Sequence, residues 1–193
     1  MTDLVFLLAG LVLALAAGFL VQSLWSFRAQ APRDYAGTQP QLDIRQALQG
    51  PILCEGVIYG PTGRVTSRFV ADMQGDWTGR SGVLRESFRY DNGNRQEREW
   101  RLTLGNDGSI SGTAPDILGE ATGRQSGATV CLKYRIRLPE TAGGHVLDVI
   151  DWMYLAENGA IINRSQFRKF GIKVAELVAT MRPRSDPQQI AAE

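Results

Sequence analysis

The sequence predicts an all-β protein: an antiparallel meander of eight or nine strands, closed into a small up-and-down barrel and preceded by one transmembrane helix. Three observations predict it. From Ile52 onward, short segments alternate apolar and polar residues with period two and are separated by glycine-bearing turns. Between those segments there is no convincing amphipathic helix. Ahead of them, Leu4 to Val21 is an uncharged apolar run.

Each element follows in order. At about 1.5 Å per residue, the 18 residues from Leu4 to Val21 span roughly 27 Å of hydrocarbon. Trp25 and Phe27 follow as interface aromatics, then Arg28 and Arg33. A cleaved signal peptide is the rival reading, but only Asp3 is charged where a basic leader belongs. Residues 1–28 are therefore read as the anchor and 29–51, with prolines at 32, 40 and 51, as a tether holding at most a short helical turn.

The barrel domain is assigned to residues 52–182. Its first hairpin runs from Ile52 to Tyr59, turns at Gly60-Pro61-Thr62-Gly63 and returns along Arg64 to Met73. A second joins Val83–Tyr90 to Asn94–Leu104 across Asp91-Asn92-Gly93, and Asn106-Asp107-Gly108 starts a third. Asn-Gly and Asp-Gly suit turns that need positive φ. Later strands are expected at 110–113, 128–138, 146–155, 160–170 and 172–181, with a polar, frayed tail over 183–193. Eight or nine strands in an open sheet would leave two long edges, which closure removes. A two-sheet sandwich is the alternative.

Composition excludes several functions. With 21 basic and 20 acidic side chains, the chain has no broad basic field for a nucleic-acid backbone. Two cysteines with 76 residues between them, and His145 as the single histidine, cannot assemble a zinc module, so no metal is expected. The glycines from Gly112 to Gly123 lack the strand-to-helix setting and Lys-Ser/Thr ending of a phosphate loop; they read as bends in an irregular strand pair, and no cofactor is expected. No Gly-x-Ser-x-Gly is present. Cys54 and Cys131 could form a disulfide if they lie on neighbouring strands, or serve as buried thiols.

Among chemically suggestive residues, Asp148 and Asp151 are three apart in one strand and so point to opposite faces. An inward carboxylate would have a raised pKa; one fixing the barrel rim would be structural. Arg164 and Arg168 share a face of the following strand, as an anion clamp if inside or a solvated row if outside. Arg85, Arg89, Arg95, Arg98 and Arg101, interleaved with Glu86, Glu97 and Glu99, read as cross-strand ion pairs on a wet face.

The ordered segments Gly50-Pro51, Gly60 to Phe69, Asp76-Trp77-Thr78-Gly79, Glu99-Trp100-Arg101-Leu102, Gly119-Glu120-Ala121-Thr122-Gly123, Asp151-Trp152-Met153-Tyr154-Leu155 and Asn163-Arg164-Ser165-Gln166-Phe167-Arg168-Lys169-Phe170-Gly171 resemble a bacterial domain-of-unknown-function family. Its members are small Gram-negative envelope proteins, often lipoproteins, with a lipocalin-like barrel, frequently encoded near cyclopropane-fatty-acid-synthase-like methyltransferases. The resemblance covers roughly residues 42–182 and implies a role near membrane lipid modification. No cysteine lies in or just after the apolar run to be acylated, so the helix itself would anchor the chain. The resemblance implies a periplasmic barrel on the inner membrane; Arg28 and Arg33 argue for the cytoplasmic side.

The candidate ligand-binding residues are Asp151, Trp152, Tyr154, Asn163, Arg164, Phe167, Lys169, Trp77, Trp100 and Glu120. Three functions compete. The barrel could bind an acyl chain or similar lipid without catalysis, in a cavity of several hundred Å3 with Arg164 or Asp151 near its mouth. It could be a solid-core assembly module, or an enzyme using a buried carboxylate on a modified lipid.

Overall fold

A computed structural model describes residues 2–184. In helix α1 (Thr2–Leu24) none of the apolar span Thr2–Val21 is buried against the protein, so it is a candidate membrane anchor or signal sequence. The connector that follows makes two 3-10 turns, Phe27–Ala29 and Pro32–Tyr35, and the one-turn helix α2 (Ile44–Ala47).

Ten strands then form one closed barrel: β1 (Gly50–Tyr59), β2 (Val65–Thr78), β3 (Ser81–Tyr90), β4 (Arg95–Leu104), β5 (Ser109–Thr113), β6 (Ala121–Ser126), β7 (Thr129–Arg137), β8 (Val146–Leu155), β9 (Ile161–Lys169) and β10 (Ile172–Pro183). Each pairs with its neighbour in sequence, and β10 returns to β1 with Cys54 opposite Met181, so no edge remains. The barrel is closed, not a sandwich.

The expected count of eight or nine strands is corrected to ten. The strand that periodicity misses is β6, Ala-Thr-Gly-Arg-Gln-Ser, whose one buried side chain is Ala121. It has too few apolar residues to alternate, and its identity as a strand comes from backbone pairing with β5 and β7. Gly123 lets that pairing close, since a Cβ there would lie 2.1 Å from the Cys131 carbonyl oxygen. At the other end, β10 runs through Pro183, past the expected boundary at 182; residues 185–193 of the expected tail lie outside the described residues.

The connector packs on the barrel twice. Phe27 is buried on the outer wall with Cys131 and Trp152, and Tyr35 meets Trp152 edge-on at 5.3 Å. Gln30 accepts hydrogen bonds from Tyr35 (2.6 Å) and Tyr154 (2.7 Å), tying the connector to β8. Farther on, Leu42, Ile44 and Leu48 enter the barrel core and stop one end of it. The Leu42 amide donates to Gly127, and the Trp77 indole donates to the Leu48 carbonyl oxygen at 3.2 Å. Gly75 permits the closest approach, because a Cβ there would sit 1.8 Å from that same oxygen.

Candidate functional site

In each strand, alternate side chains point inward. Leu84, Glu86 and Phe88 do so on β3, Arg98, Trp100, Leu102 and Leu104 on β4, and Leu147, Val149, Asp151 and Met153 on β8. With Ile44 and Leu48 as the floor, all of these but Leu104, Leu147 and Val149 line a cavity of about 200 Å3. It extends to Tyr90, Gln96, Arg137 and Pro139 at the opposite end, where Arg137 and Pro139 are exposed.

The cavity is layered. Near the floor it is aliphatic, with Met73, Leu102 and Met153; toward the open end it is lined by Ile58, Phe69, Phe88, Phe167 and Leu177. Between these layers runs a polar belt of Glu86, Arg98, Asp116, Tyr134, Asp151, Asn163 and Ser165. Arg98 donates through Nε to Asp116 at 3.0 Å, and its Nη1 lies 3.8 Å from Glu86 Oε2, too far for a hydrogen bond. The guanidinium stacks 4.4 Å above the Trp100 ring. Arg98 Nη2 and Glu86 Oε2 are shielded from solvent and have no hydrogen-bond partner.

Asp151, across the barrel, is better satisfied. It accepts from Asn163 Nδ2, from Ser165 Oγ at 2.8 Å, and more weakly from Tyr134 at 3.5 Å. Burial pushes its pKa up while Ser165 and Asn163 pull it back. Glu86 lacks such donors. Burial raises it to about 7, opposed by Arg98 and reinforced by Asp151 and Asp116. Burial likewise pushes the Tyr134 hydroxyl up, so it stays a neutral donor at physiological pH.

The residues singled out from sequence separate into five places. Asp151, Asn163, Phe167 and Trp100 face the cavity. Trp152, Tyr154 and Arg164 are on the outer wall, where they hold the connector: Arg164 lies 4.8 Å over the Phe27 ring and pairs with Glu176. Arg164 therefore does not reach the cavity. Trp77 fixes the plug at the closed end, Glu120 is exposed in the β5–β6 connection, and Lys169 lies on the surface 3.1 Å from His145. Asp148 faces outward beside Arg135, opposite in sense to Asp151. Cys54 lines the cavity and Cys131 the outer wall; both are buried free thiols.

The arginine-rich hairpin divides in the same way. Arg85 pairs with Asp76 and Glu99, and Arg101 with Glu99, on the solvated outer wall. Glu86 and Arg98, read from sequence as part of that wet face, are inside. Period two could have found them, because Glu86 shares parity with Leu84 and Phe88, and Arg98 with Trp100 and Leu102. Asp116 had no such signal, since it arrives from a loop.

Comparison with known proteins adds three findings. The model of a family described as "Protein of unknown function (DUF3833)" matches residues 21–183. No curated protein matches the chain. Among solved structures, the S-type phycobiliprotein lyase CPES from Guillardia theta is similar at 6% identity and a TM-score of 0.55, over 81% of this chain and 99% of that one. Rv2717c from M. tuberculosis is similar at 14% identity and a TM-score of 0.54, over 77% and 99%. At such identities the likeness shows the barrel fold alone.

Proposed function

The chain belongs to the DUF3833 family of proteins of unknown function, and on that footing we propose that it is a membrane-anchored barrel that binds one acyl chain or similar amphipathic lipid, without catalysing a reaction. The observation that carries this reading is the cavity: closed at one end by Ile44 and Leu48, apolar above and below, and crossed by a belt that holds a buried arginine with an unmet donor. A barrel needing only a solid core gains nothing from a buried guanidinium with one donor unmet in its interior.

Helix α1 holds the barrel at the bilayer and so raises its effective concentration there. Three of the four large exposed apolar residues among the described residues of the barrel, all but Ile162, support a lipid-facing orientation. Phe170 and Ile172 cap the β9–β10 hairpin and Val65 begins β2 at the neighbouring hairpin, all at the cavity's open end. Burial lowers the pKa of Arg168 and Arg28, just past α1, is near enough to add to that lowering, which fits an anchor that leaves from the same side of the barrel. We place the chain in the inner membrane with its barrel in the periplasm, as an accessory to a lipid-modifying methyltransferase pathway, following its resemblance to envelope proteins.

Native mass spectrometry of the full chain released from its own membrane, with lipid extraction, tests the central reading. One co-purifying acyl lipid per chain supports it. A chain that is empty and also ignores added acyl chains overturns it and leaves the assembly module, which the cavity volume favours: about 200 Å3 is below the roughly 300–1,000 Å3 of common ligand pockets.

A further inference from the structure

Glu86 and Arg98 are direct partners in the β3–β4 register, and both side chains turn into the barrel. A closed ion pair at that position would share hydrogen bonds between the guanidinium and both carboxyl oxygens. Here the pair stands open. Nη1 halts 3.8 Å from Oε2, Nε is engaged by Asp116, and the guanidinium plane is held on Trp100. What remains is one N–H bearing atom of Arg98 and one oxygen of Glu86, buried, unpartnered and on the wall of the same cavity. Unmet buried polar atoms are rare in folded proteins because their lost hydration goes uncompensated.

We propose that Arg98 Nη2 and Glu86 Oε2 form a clamp for the carboxylate of a single-chain carboxylic acid, which lies with its head at mid-barrel and its chain directed past Phe69, Phe88 and Phe167 toward the open end. The proposal rests on the lipid-binding reading above and names the ligand class for that cavity.

The charges decide between possible heads. An ammonium carries donors only and so offers no acceptor to Nη2, whatever it gains from the acids nearby. An alcohol can bridge the two, accepting from Nη2 and donating to Oε2, but it brings no negative charge to the guanidinium and so forgoes the charge-assisted pair. A carboxylate offers two oxygens, one for Nη2 and one for a proton carried by Glu86. Glu86 is faced by Arg98 from β4, Tyr134 from β7, Asp151 from β8, Cys54 from β1, Tyr90 at the end of β3, and Asp116 from the β5–β6 connection. Burial and the two aspartates favour its protonated form against the pull of Arg98, and an anionic head beside it acts in the same sense. Binding near neutral pH therefore takes up a proton at Glu86.

The experiment uses the full chain in phosphatidylcholine nanodiscs, with empty nanodiscs as the reference, and compares decanoate carrying a 13C carboxyl with decanol. Decanoate is expected to bind one per chain, about tenfold more tightly than decanol. Its bound carboxyl resonance should hold its ionised shift down to about pH 3.5, through the range where a free carboxyl titrates. Arg98→Gln should bring the two affinities within about twofold of each other. Equal affinity for decanoate and decanol in the unaltered chain overturns the clamp and leaves an unselective acyl carrier. Binding of neither overturns the carrier reading as well. If Arg98→Gln does not fold, the comparison of the two ligands on the unaltered chain decides the matter.

Discussion

Replacing Glu86 by Gln should leave stability nearly unchanged at about pH 4.5 and raise it at about pH 8.5. The substitution keeps the side chain's shape and removes its charge. In the fold, burial lifts this carboxyl from its ordinary 4.5 to about 7. A carboxyl whose folded pKa lies above its unfolded value favours the fold fully below the unfolded value, and that contribution is lost as pH rises through the folded one. At about 1.36 kcal/mol per pH unit, the interval from 4.5 to about 7 corresponds to about 3 kcal/mol. In a chain of this size that is a gap in Tm of about 6–12 °C, absent in acid and present in base. Urea and thermal unfolding of both full-length proteins in nonionic detergent, followed by tryptophan emission, measures it; Trp100 beneath Arg98 reports on the core directly. A gap between variant and parent that is the same at both pH values, or one that favours the parent in base, would refute the reasoning. Glu86 would then enter the fold ionised and paired with Arg98.

The connector supplies a second test: Gly75→Ala puts a methyl group 1.8 Å from the Leu48 carbonyl oxygen, so it should displace the plug and cost about 1–3 kcal/mol in unfolding experiments. Trp152→Ala removes the fully buried ring that Phe27 and Tyr35 pack on. It should cost about 3–5 kcal/mol and quicken tryptic cleavage after Arg28 and Arg33; cleavage at the parental rate would show that this stacking does not hold the connector. Burial raises the Cys54 thiol to about 12 and Cys131 to about 11, so neither should react with iodoacetamide at about pH 8 until the chain unfolds, as read by intact mass. A fluorophore on Ile172→Cys, in a chain whose native cysteines are replaced by serine, should be quenched by spin-labelled lipids in nanodiscs. Quenching no greater than at Asn106, at the opposite end of the barrel, would turn the hairpin away from the bilayer.

Much of this architecture was legible without coordinates because its signals are local. An uncharged run from Leu4 to Val21, the turns at Asp91-Asn92-Gly93 and Asn106-Asp107-Gly108, and alternation along β2 and β8 each depend on a few adjacent residues. Beta-sheet periodicity also shows that Asp148 and Asp151 must oppose each other. It cannot say which of them is inside. In β8, Asp151, Trp152 and Met153 are all buried, since the outer wall there is covered by Phe27 and Tyr35 from a segment more than a hundred residues away. A wall buried on both sides loses the contrast that marks a face, so Trp152, Tyr154 and Arg164 looked as much like cavity residues as Asn163 does.

The candidate site shows the same division. Its members come from β3, β4, β7, β8, β9 and the β5–β6 connection, and no two neighbours in sequence among them carry a recognisable motif. Residue type and parity along one strand were set by the sequence alone: an acid among Leu84 and Phe88, an arginine among Trp100 and Leu102. Only the tertiary structure turned those parities inward together. The sense of every strand follows from closing β1 on β10, a pairing that joins Ile52 to Pro183 and fixes all the intervening registers at once. Side-chain alternation is a property of a few consecutive peptide units, whereas inside and outside exist only once the ring of backbone hydrogen bonds is complete.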